Sequence, residues 1–152
     1  MQTLSRRIFE EVWNQRNPAV IDELVAANYV HNDVLSPDAP TGIDGYKQFV
    51  QQYLAAFPDI KITIHDDFVA GDKTVTRWTA TGTHHGDLPG LPRTGKRISV
   101  HGITVARLSN GKFIESWNNW DALGMMQQLG AIPSGSTDRA APECRALGVL
   151  TR

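Results

Sequence analysis

Hydrophobic residues near the start of the chain recur at the spacing of an amphipathic helix. Leu4, Ile8 and Val12 lie on one helical stripe, and Phe9 and Trp13 widen it. A stripe of this width is typical of a helix that packs on a core. The pattern therefore predicts a first helix whose apolar face is buried.

Two more helices are predicted before residue 58. Asn17 and Pro18 supply an N-cap and a proline at the first helical position, ahead of the apolar stretch 20–25. Residues 41–44 have the spacing of a capping box. The helix that follows carries Tyr46 on its apolar stripe and ends at Pro58, because proline cannot continue a helix.

Beyond Pro58 the period of the pattern changes to that of strands. Ile60, Ile62 and Ile64 alternate with polar residues, and the Thr-rich stretch 74–83 has high strand propensity. Helices followed by strands describe an α+β domain. We expect a curved, largely antiparallel sheet wrapped around the N-terminal helices, shaped like a cone with a deep pocket.

Two final strands, 97–108 and 112–121, are joined at Asn110-Gly111, the dipeptide typical of a two-residue hairpin. Counting outward from this turn places Ala106 opposite Glu115 and continues to Val100 opposite Asp121. Directly opposed residues share a face. The count assigns one face of the hairpin to Thr104, Trp117, Asn119 and Asp121, and the other to His101 unless a β-bulge intervenes.

The mixture of apolar and sparse polar groups on the first face suits a small-molecule pocket. Apolar walls would raise the pKa of Asp121, as an acid/base carboxylate requires. An equally simple interpretation is that Asp121 caps the turn that follows it. His101 and His31 are the candidate partners of the carboxylate, whereas His84 and His85 lie in a turn-rich segment.

Further candidates for substrate contact are large side chains on elements that should converge on the core. They are Trp13, Tyr46, Phe57, Trp78, Trp117 and, from the turn-rich segment, His84. No His or carboxylate spacing indicates a metal site.

Length and composition limit the number of domains and the classes of partner. The chain of 152 residues fits one domain, which we place at 1–130, with a Pro/Ser/Ala-rich extension at 131–152 that contains Cys144. With 15 basic and 16 acidic residues, the chain lacks the excess positive charge that attracts nucleic acid. No run of apolar residues is long enough to span a membrane. The N-terminus lacks the apolar core of a secretory signal, so we expect a cytoplasmic protein.

At this point several short stretches, in order along residues 4–130, resemble the SnoaL-like polyketide cyclases of the nuclear transport factor 2-like fold. They are Ala55-Ala-Phe-Pro-Asp59, Gly82-Thr-His-His-Gly86, Thr94-Gly95-Lys96, Ser109-Asn-Gly-Lys-Phe-Ile-Glu-Ser-Trp117, Trp120-Asp121 and Gln127-Gln-Leu-Gly130. The chain departs from the family's Pro-Thr-Gly turn at Arg93.

The resemblance implies a cofactor-independent enzyme of secondary metabolism, such as antibiotic biosynthesis, that closes a ring in a hydrophobic, polyketide-like or aromatic substrate. It also implies a homo-oligomer, a dimer or tetramer, and an acid/base aspartate at Asp121. Aldol-type closure with Asp121 as base is the leading hypothesis. Epoxide opening, cofactor-independent hydroxylation and a non-catalytic binding or assembly domain are the alternatives.

Overall fold

The computed structural model describes residues 3–133. Helices and strands follow in the order α1 (Leu4–Arg7, continuing as a π-helical segment, Ile8–Asn14), α2 (Val20–Leu24), β1 (Val25–Asp33), α3 (Gly42–Ala56), β2 (Lys61–Ala70), β3 (Lys73–Thr83), β4 (Arg97–Ser109), β5 (Lys112–Trp120) and α4 (Ala122–Gln128). Within the described residues, no helix is both long and apolar enough to cross a membrane. Of the C-terminal extension predicted at 131–152, residues 134–152, with Cys144, lie outside the described residues.

The five strands form one sheet in the order β1-β5-β4-β3-β2. β1 pairs with β5 in parallel, and the other three pairings are antiparallel. The helices contribute buried residues such as Val12, Ile21 and Val50 to the same core as Val100 and Phe113 of the sheet. The α+β class and the largely antiparallel sheet predicted from the sequence are confirmed.

The second predicted helix ends earlier than its apolar pattern suggested. α2 stops at Leu24, and Val25 already has extended backbone angles (φ −115°, ψ 136°). From there the chain pairs with β5, with His31 opposite Ser116. An edge of β5 was open to a partner, and pairing with it satisfies backbone groups that a loop would leave unpaired. The tract Tyr29–Asp33, not assigned to a strand from the sequence, is therefore part of the sheet.

A β-bulge displaces the predicted register of the β4–β5 hairpin. Leu108 faces Phe113 as expected, but Arg107 then faces Glu115, so Ile114 is the extra residue. A one-residue slip sends every later side chain of β5 to the opposite face. The predicted face of β4 holds, and that of β5 beyond the bulge is wrong, because a turn signal contains no information about a bulge three residues away.

Candidate active site in an aromatic cavity

A cavity of about 110 Å³ lies between the helices and the inner face of the sheet. Its walls are dominated by aromatic rings: Phe9, Trp13, Tyr29, Tyr46, Phe49, Tyr53, Phe57, Trp78 and Trp120. Several of these rings touch one another edge to face, as with Tyr29 and Tyr46, whose centroids lie 5.1 Å apart. Such walls would hold a flat, apolar molecule and exclude water from polar groups among them.

A histidine and a carboxylate of β1 face this cavity. Alternation along a strand places residues two apart on the same side, so His31 and Asp33 both point inward. Nε2 of His31 lies 4.0 Å from Oδ2 of Asp33, and their side chains are only 9% and 2% exposed. The ring of His31 packs against Phe49, with centroids 4.4 Å apart. A histidine and a carboxylate thus share one buried compartment.

Burial raises the pKa of Asp33 above its ordinary value, because the charged form loses its hydration. Two hydrogen bonds work in the opposite direction by favouring the ionised carboxylate. The backbone N–H of Leu35 donates to Oδ1 at 3.0 Å, and Nε1 of Trp120 donates to Oδ2 at 3.1 Å. A carboxyl group with a raised pKa is suited to take a proton near neutral pH and return it.

His31 is neutral over the physiological range, because burial lowers its pKa to about 4. Its Nδ1 atom lies 3.2 Å from Oγ of Ser116 and 3.2 Å from Nδ2 of Asn118. Its Nε2 atom, by contrast, is buried and has no hydrogen-bond partner. A buried polar atom without a partner carries a free-energy cost that a bound ligand can remove.

Polar side chains of β3, β4 and β5 continue the network behind His31. Thr104 donates its hydroxyl to Oδ1 of Asn118 at 2.7 Å and accepts from Nε1 of Trp78 at 2.9 Å. Oγ of Ser116 also bonds to the hydroxyl of Tyr29 at 2.5 Å. Ser116 and Asn118 face inward because of the bulge in β5, which turns them toward the helices.

The structure brings together only part of the predicted site. Six of the predicted residues line the cavity: Trp13, His31, Tyr46, Phe57, Trp78 and Thr104. His101 and Asn119 are exposed, and Trp117 is 37% exposed on the outer face of the sheet. The bulge explains why Trp117 and Asn119 point outward. His101 lies on the outer face, as predicted by counting outward from the hairpin turn.

Asp121 occupies the N-cap of α4 and does not line the cavity. Its Oδ1 atom accepts from the backbone N–H of Gly124 at 2.9 Å. Its own N–H donates to the carbonyl of His101 at 3.0 Å. The geometric expectation that Asp121 faces the cavity is wrong, since the strand ends at Trp120 and the chain turns there into the helix.

His84 supports the cavity wall from behind. Its side chain is fully buried and stacks on Phe57, with centroids 5.3 Å apart. The backbone N–H of Thr94 donates to its Nδ1 atom at 3.2 Å. His84 therefore holds the following loop against the wall and does not itself line the cavity.

The inward-facing residues absent from the predicted site include Asp33, Ser116, Asn118 and Trp120. Reading the tract Tyr29–Asp33 as a strand would have placed His31 and Asp33 on one face, so their period-two spacing was an available signal. The three residues of β5 had no comparable signal because their orientation depends on the bulge. Among the described residues, no cluster of three or more His, Cys, Asp or Glu side chains could hold a metal ion.

Comparison with known proteins places this architecture in a family. Residues 3–129 match the family described as SnoaL-like polyketide cyclase. No curated protein matches the sequence. Among solved structures, TsrD from Streptomyces laurentii is 30% identical, with 85% of this chain and 93% of that chain covered and a TM-score of 0.77.

Two further structures are similar. A candidate polyketide cyclase from Acidithiobacillus ferrooxidans is 34% identical over 84% of this chain and 92% of its own, with a TM-score of 0.71. AclR from Streptomyces galilaeus, a candidate hydroxylase, is 23% identical over 97% and 92% of the two chains, with a TM-score of 0.81, which shows the shared fold. From the match over residues 3–129, the chain belongs to the SnoaL-like polyketide cyclase family.

Proposed function

We propose that this protein closes a ring in a carbonyl-rich, apolar substrate, with Asp33 as the general base and His31 as the hydrogen-bond donor to the enolate. The observation that carries the proposal is the unpartnered Nε2 atom of His31, which is buried 4.0 Å from the carboxylate of Asp33, on two residues that line the aromatic cavity. The family membership supports a cyclase at the level of reaction class.

The reaction begins at a carbon atom flanked by carbonyl groups. The ionised carboxylate of Asp33 removes a proton from that carbon, and the electron pair moves onto the carbonyl oxygen to form an enolate. Nε2–H of His31 donates a hydrogen bond to this oxygen. A neutral imidazole fits the role because its proton stays on the ring as charge develops on the substrate.

Ring closure follows within the same molecule. The enolate carbon attacks a second carbonyl carbon, a carbon–carbon bond forms, and the oxygen of that carbonyl becomes an alkoxide. The proton held by Asp33 returns to the alkoxide, so the carboxylate is regenerated and no atoms are gained or lost. Confinement between aromatic walls would hold both reacting carbons together, and such positioning lowers the entropic part of the barrier.

The proposed base is Asp33 and not Asp121, the residue predicted from the sequence. Both residues are aspartates near Trp120, but only Asp33 lines the cavity and accepts a hydrogen bond from the Trp120 indole. Asp121 instead satisfies a backbone N–H at the start of α4. A side chain engaged in capping on the far side of a strand end is poorly placed to reach a substrate between the aromatic rings.

The first step can be tested without the natural substrate. Benzoylacetamide carries one aromatic ring and a carbon acid between two carbonyls, and it lacks a partner for ring closure. Incubation in D₂O with the protein should accelerate deuterium incorporation at that carbon, followed by proton NMR, and the acceleration should saturate with ligand concentration. Exchange no faster than in buffer would contradict the proposal.

A second measurement addresses the whole reaction once a polyketide-like substrate is available. Ring closure by itself gives a product of the same mass as the substrate. If the product then dehydrates, its mass falls by that of one water molecule. Added oxygen would instead indicate hydroxylation or hydration. Mass spectrometry of the product therefore separates ring closure from hydroxylation and from epoxide opening by water.

A further inference from the structure

A chain of directed hydrogen bonds begins at the indole of Trp78. Tryptophan can only donate, so its Nε1–H occupies one lone pair of the Thr104 hydroxyl at 2.9 Å. Thr104 has one hydrogen of its own, and Oδ1 of Asn118 lies 2.7 Å away to accept it. With its oxygen engaged, the amide of Asn118 turns Nδ2 toward Nδ1 of His31 at 3.2 Å.

The opposite orientation of the Asn118 amide is disfavoured by hydrogen-bond counting. If Nδ2 faced Thr104, the hydroxyl would accept from both Trp78 and Asn118, and its own hydrogen would lose its acceptor in a part-buried site. An unmade hydrogen bond at a buried group costs about 1–3 kcal/mol. Trp78 thus sets the orientation of an amide that it does not touch in this hydrogen-bond chain.

The orientation of the amide decides which ring nitrogen of His31 carries the proton. A neutral imidazole has one N–H and one bare nitrogen. Nδ2 of Asn118 lies 3.2 Å from Nδ1 of His31 and 3.2 Å from Oγ of Ser116. When it donates to Nδ1, Nδ1 is the bare nitrogen and the proton lies on Nε2. Ser116, 3.2 Å from the same Nδ1 atom, can also donate its hydroxyl there.

We propose that Trp78, Thr104 and Asn118 act as a positioning relay that holds His31 in its Nε2–H tautomer, so that a hydrogen-bond donor faces the cavity. The catalytic consequence rests on the proposed function, whereas the tautomer itself does not. None of the three residues needs to contact the reacting atoms. The reversed amide would give the Nδ1–H tautomer and present a bare Nε2, which cannot stabilise an enolate oxygen.

The tautomer can be measured directly by ¹⁵N NMR of histidine-labelled protein at pH 7, where protonated and bare ring nitrogens have well-separated shifts. The chain has five histidines, and the spectrum of His31→Gln identifies the signals of His31. The wild-type protein should show a protonated Nε2 and a bare Nδ1. The opposite pattern would overturn the proposal without reference to activity.

The carboxylate of Asp33 also favours a proton on Nε2, so the relay is isolated in an Asp33→Asn background. His31 should remain the Nε2–H tautomer in Asp33→Asn alone. Adding Thr104→Val removes the hydroxyl and keeps the side-chain shape. The preference of about 1–3 kcal/mol for one orientation of the Asn118 amide is then lost. The double variant should therefore be a mixture in which the Nδ1–H tautomer is at least about a tenth of the population. A double variant that stays entirely Nε2–H would contradict the relay.

Matched variants separate the relay from general damage. Thr104→Ser restores a hydroxyl and should restore the Nε2–H tautomer. Thr74→Val removes a buried hydroxyl that has no partner on the neighbouring strand and should leave the spectrum of His31 unchanged. Asn118→Asp replaces the Nδ2 donor opposite Nδ1 of His31 by an acceptor oxygen, so the proton of His31 should move to Nδ1. This variant is a second test if Thr104→Val does not fold.

Kinetics provide the last readout. In the benzoylacetamide assay, Thr104→Val alone should lower kcat by the fraction of the Nε2–H tautomer that ¹⁵N NMR shows to be lost in that variant, with KM nearly unchanged. The loss should stay below the roughly 10²-fold typical of deleting an enolate donor. Full exchange activity in Thr104→Val despite a shifted tautomer would refute the proposed role of His31 and leave the relay standing. An unshifted tautomer in the Asp33→Asn, Thr104→Val double variant would refute the relay instead.

Discussion

The imidazole of His31 and the carboxylate of Asp33 lie on the same face of β1, with Nε2 and Oδ2 separated by 4.0 Å. Burial affects the two groups in opposite directions, lowering the pKa of the histidine and raising that of the aspartate. The result is a neutral imidazole beside a carboxyl group whose proton affinity is increased. Two groups with pKa values displaced in this way can divide the donor and base roles in one site.

The indole of Trp120 should adjust the pH at which Asp33 acts as a base. Its Nε1–H stabilises the ionised carboxylate. Trp120→Phe removes that hydrogen bond, so the pKa of Asp33 should rise and the acidic limb of kcat/KM for exchange should move to higher pH. Trp117→Phe, a change on the outer face, should leave the limb in place. A limb that stays fixed or moves to lower pH in Trp120→Phe would contradict the assigned contact.

His31 should make the folded state sensitive to acid. Its pKa is about 4 in the folded protein and about 6.5 when unfolded. A group with a lowered folded pKa contributes stability above pH 6.5 that is lost as the pH falls to 4, here about 3 kcal/mol. Asp33, with a shift of opposite sign, offsets part of this loss.

The contribution of His31 is isolated by comparing His31→Gln with wild type in urea unfolding at several pH values. The variant should lose less stability than wild type between pH 6.5 and 4. His65→Gln, at an exposed histidine, should follow the wild-type curve. Parallel curves for His31→Gln and wild type would show that the imidazole is not held neutral by burial.

Gly102 provides the space in which the two tryptophans of the site pack. A Cβ atom at this position would lie 2.6 Å from Cβ of Trp120 and 2.6 Å from Cζ2 of Trp78. Gly102→Ala should therefore lower the free energy of unfolding by about 1–3 kcal/mol through overpacking, and should also slow exchange by displacing both indoles. Ser99→Ala on the same strand is the control, with little change expected. Unaltered stability in Gly102→Ala would show that the indoles can move freely.

Asp121 should behave as a helix cap. Asp121→Ala deletes the acceptor for Gly124 N–H and should cost about 1 kcal/mol of stability, whereas Asp121→Asn retains a capping oxygen and should cost less. Urea unfolding measures both. Equal losses in the two variants would argue for a role of the negative charge and against simple capping.

Most of the fold could be predicted because it depends on local patterns. The helical stripe of α1, the alternation around Ile62 and the Asn110-Gly111 turn each identified an element that the structure contains. The strand β1 was missed because its residues adopt extended backbone in response to the open edge of β5, a partner distant in the sequence. The period-two spacing of His31 and Asp33 was too short a signal to identify a strand that depends on this tertiary pairing.

The site was harder to predict than the fold because its geometry depends on one residue. The extra residue Ile114 reverses the inward and outward positions of β5, which exchanges Trp117 and Asn119 for Ser116 and Asn118 in the cavity wall. Cavity-lining residues on the unaffected strands, such as Trp78 and Thr104, were predicted correctly in position. Asp33 required recognition of β1 before its pairing with His31 could be seen.

Asp33, and not Asp121, is the residue proposed to remove the substrate proton. The most direct measurement compares benzoylacetamide exchange in Asp33→Asn and Asp121→Asn, two isosteric changes that remove one carboxylate each. Asp33→Asn should lower kcat by about 10²-fold or more with binding retained, as expected for loss of a general base, while Asp121→Asn should stay within about twofold of wild type. Full activity in Asp33→Asn would contradict the assignment of Asp33 as the general base. An inactive Asp121→Asn beside it would assign that role to Asp121.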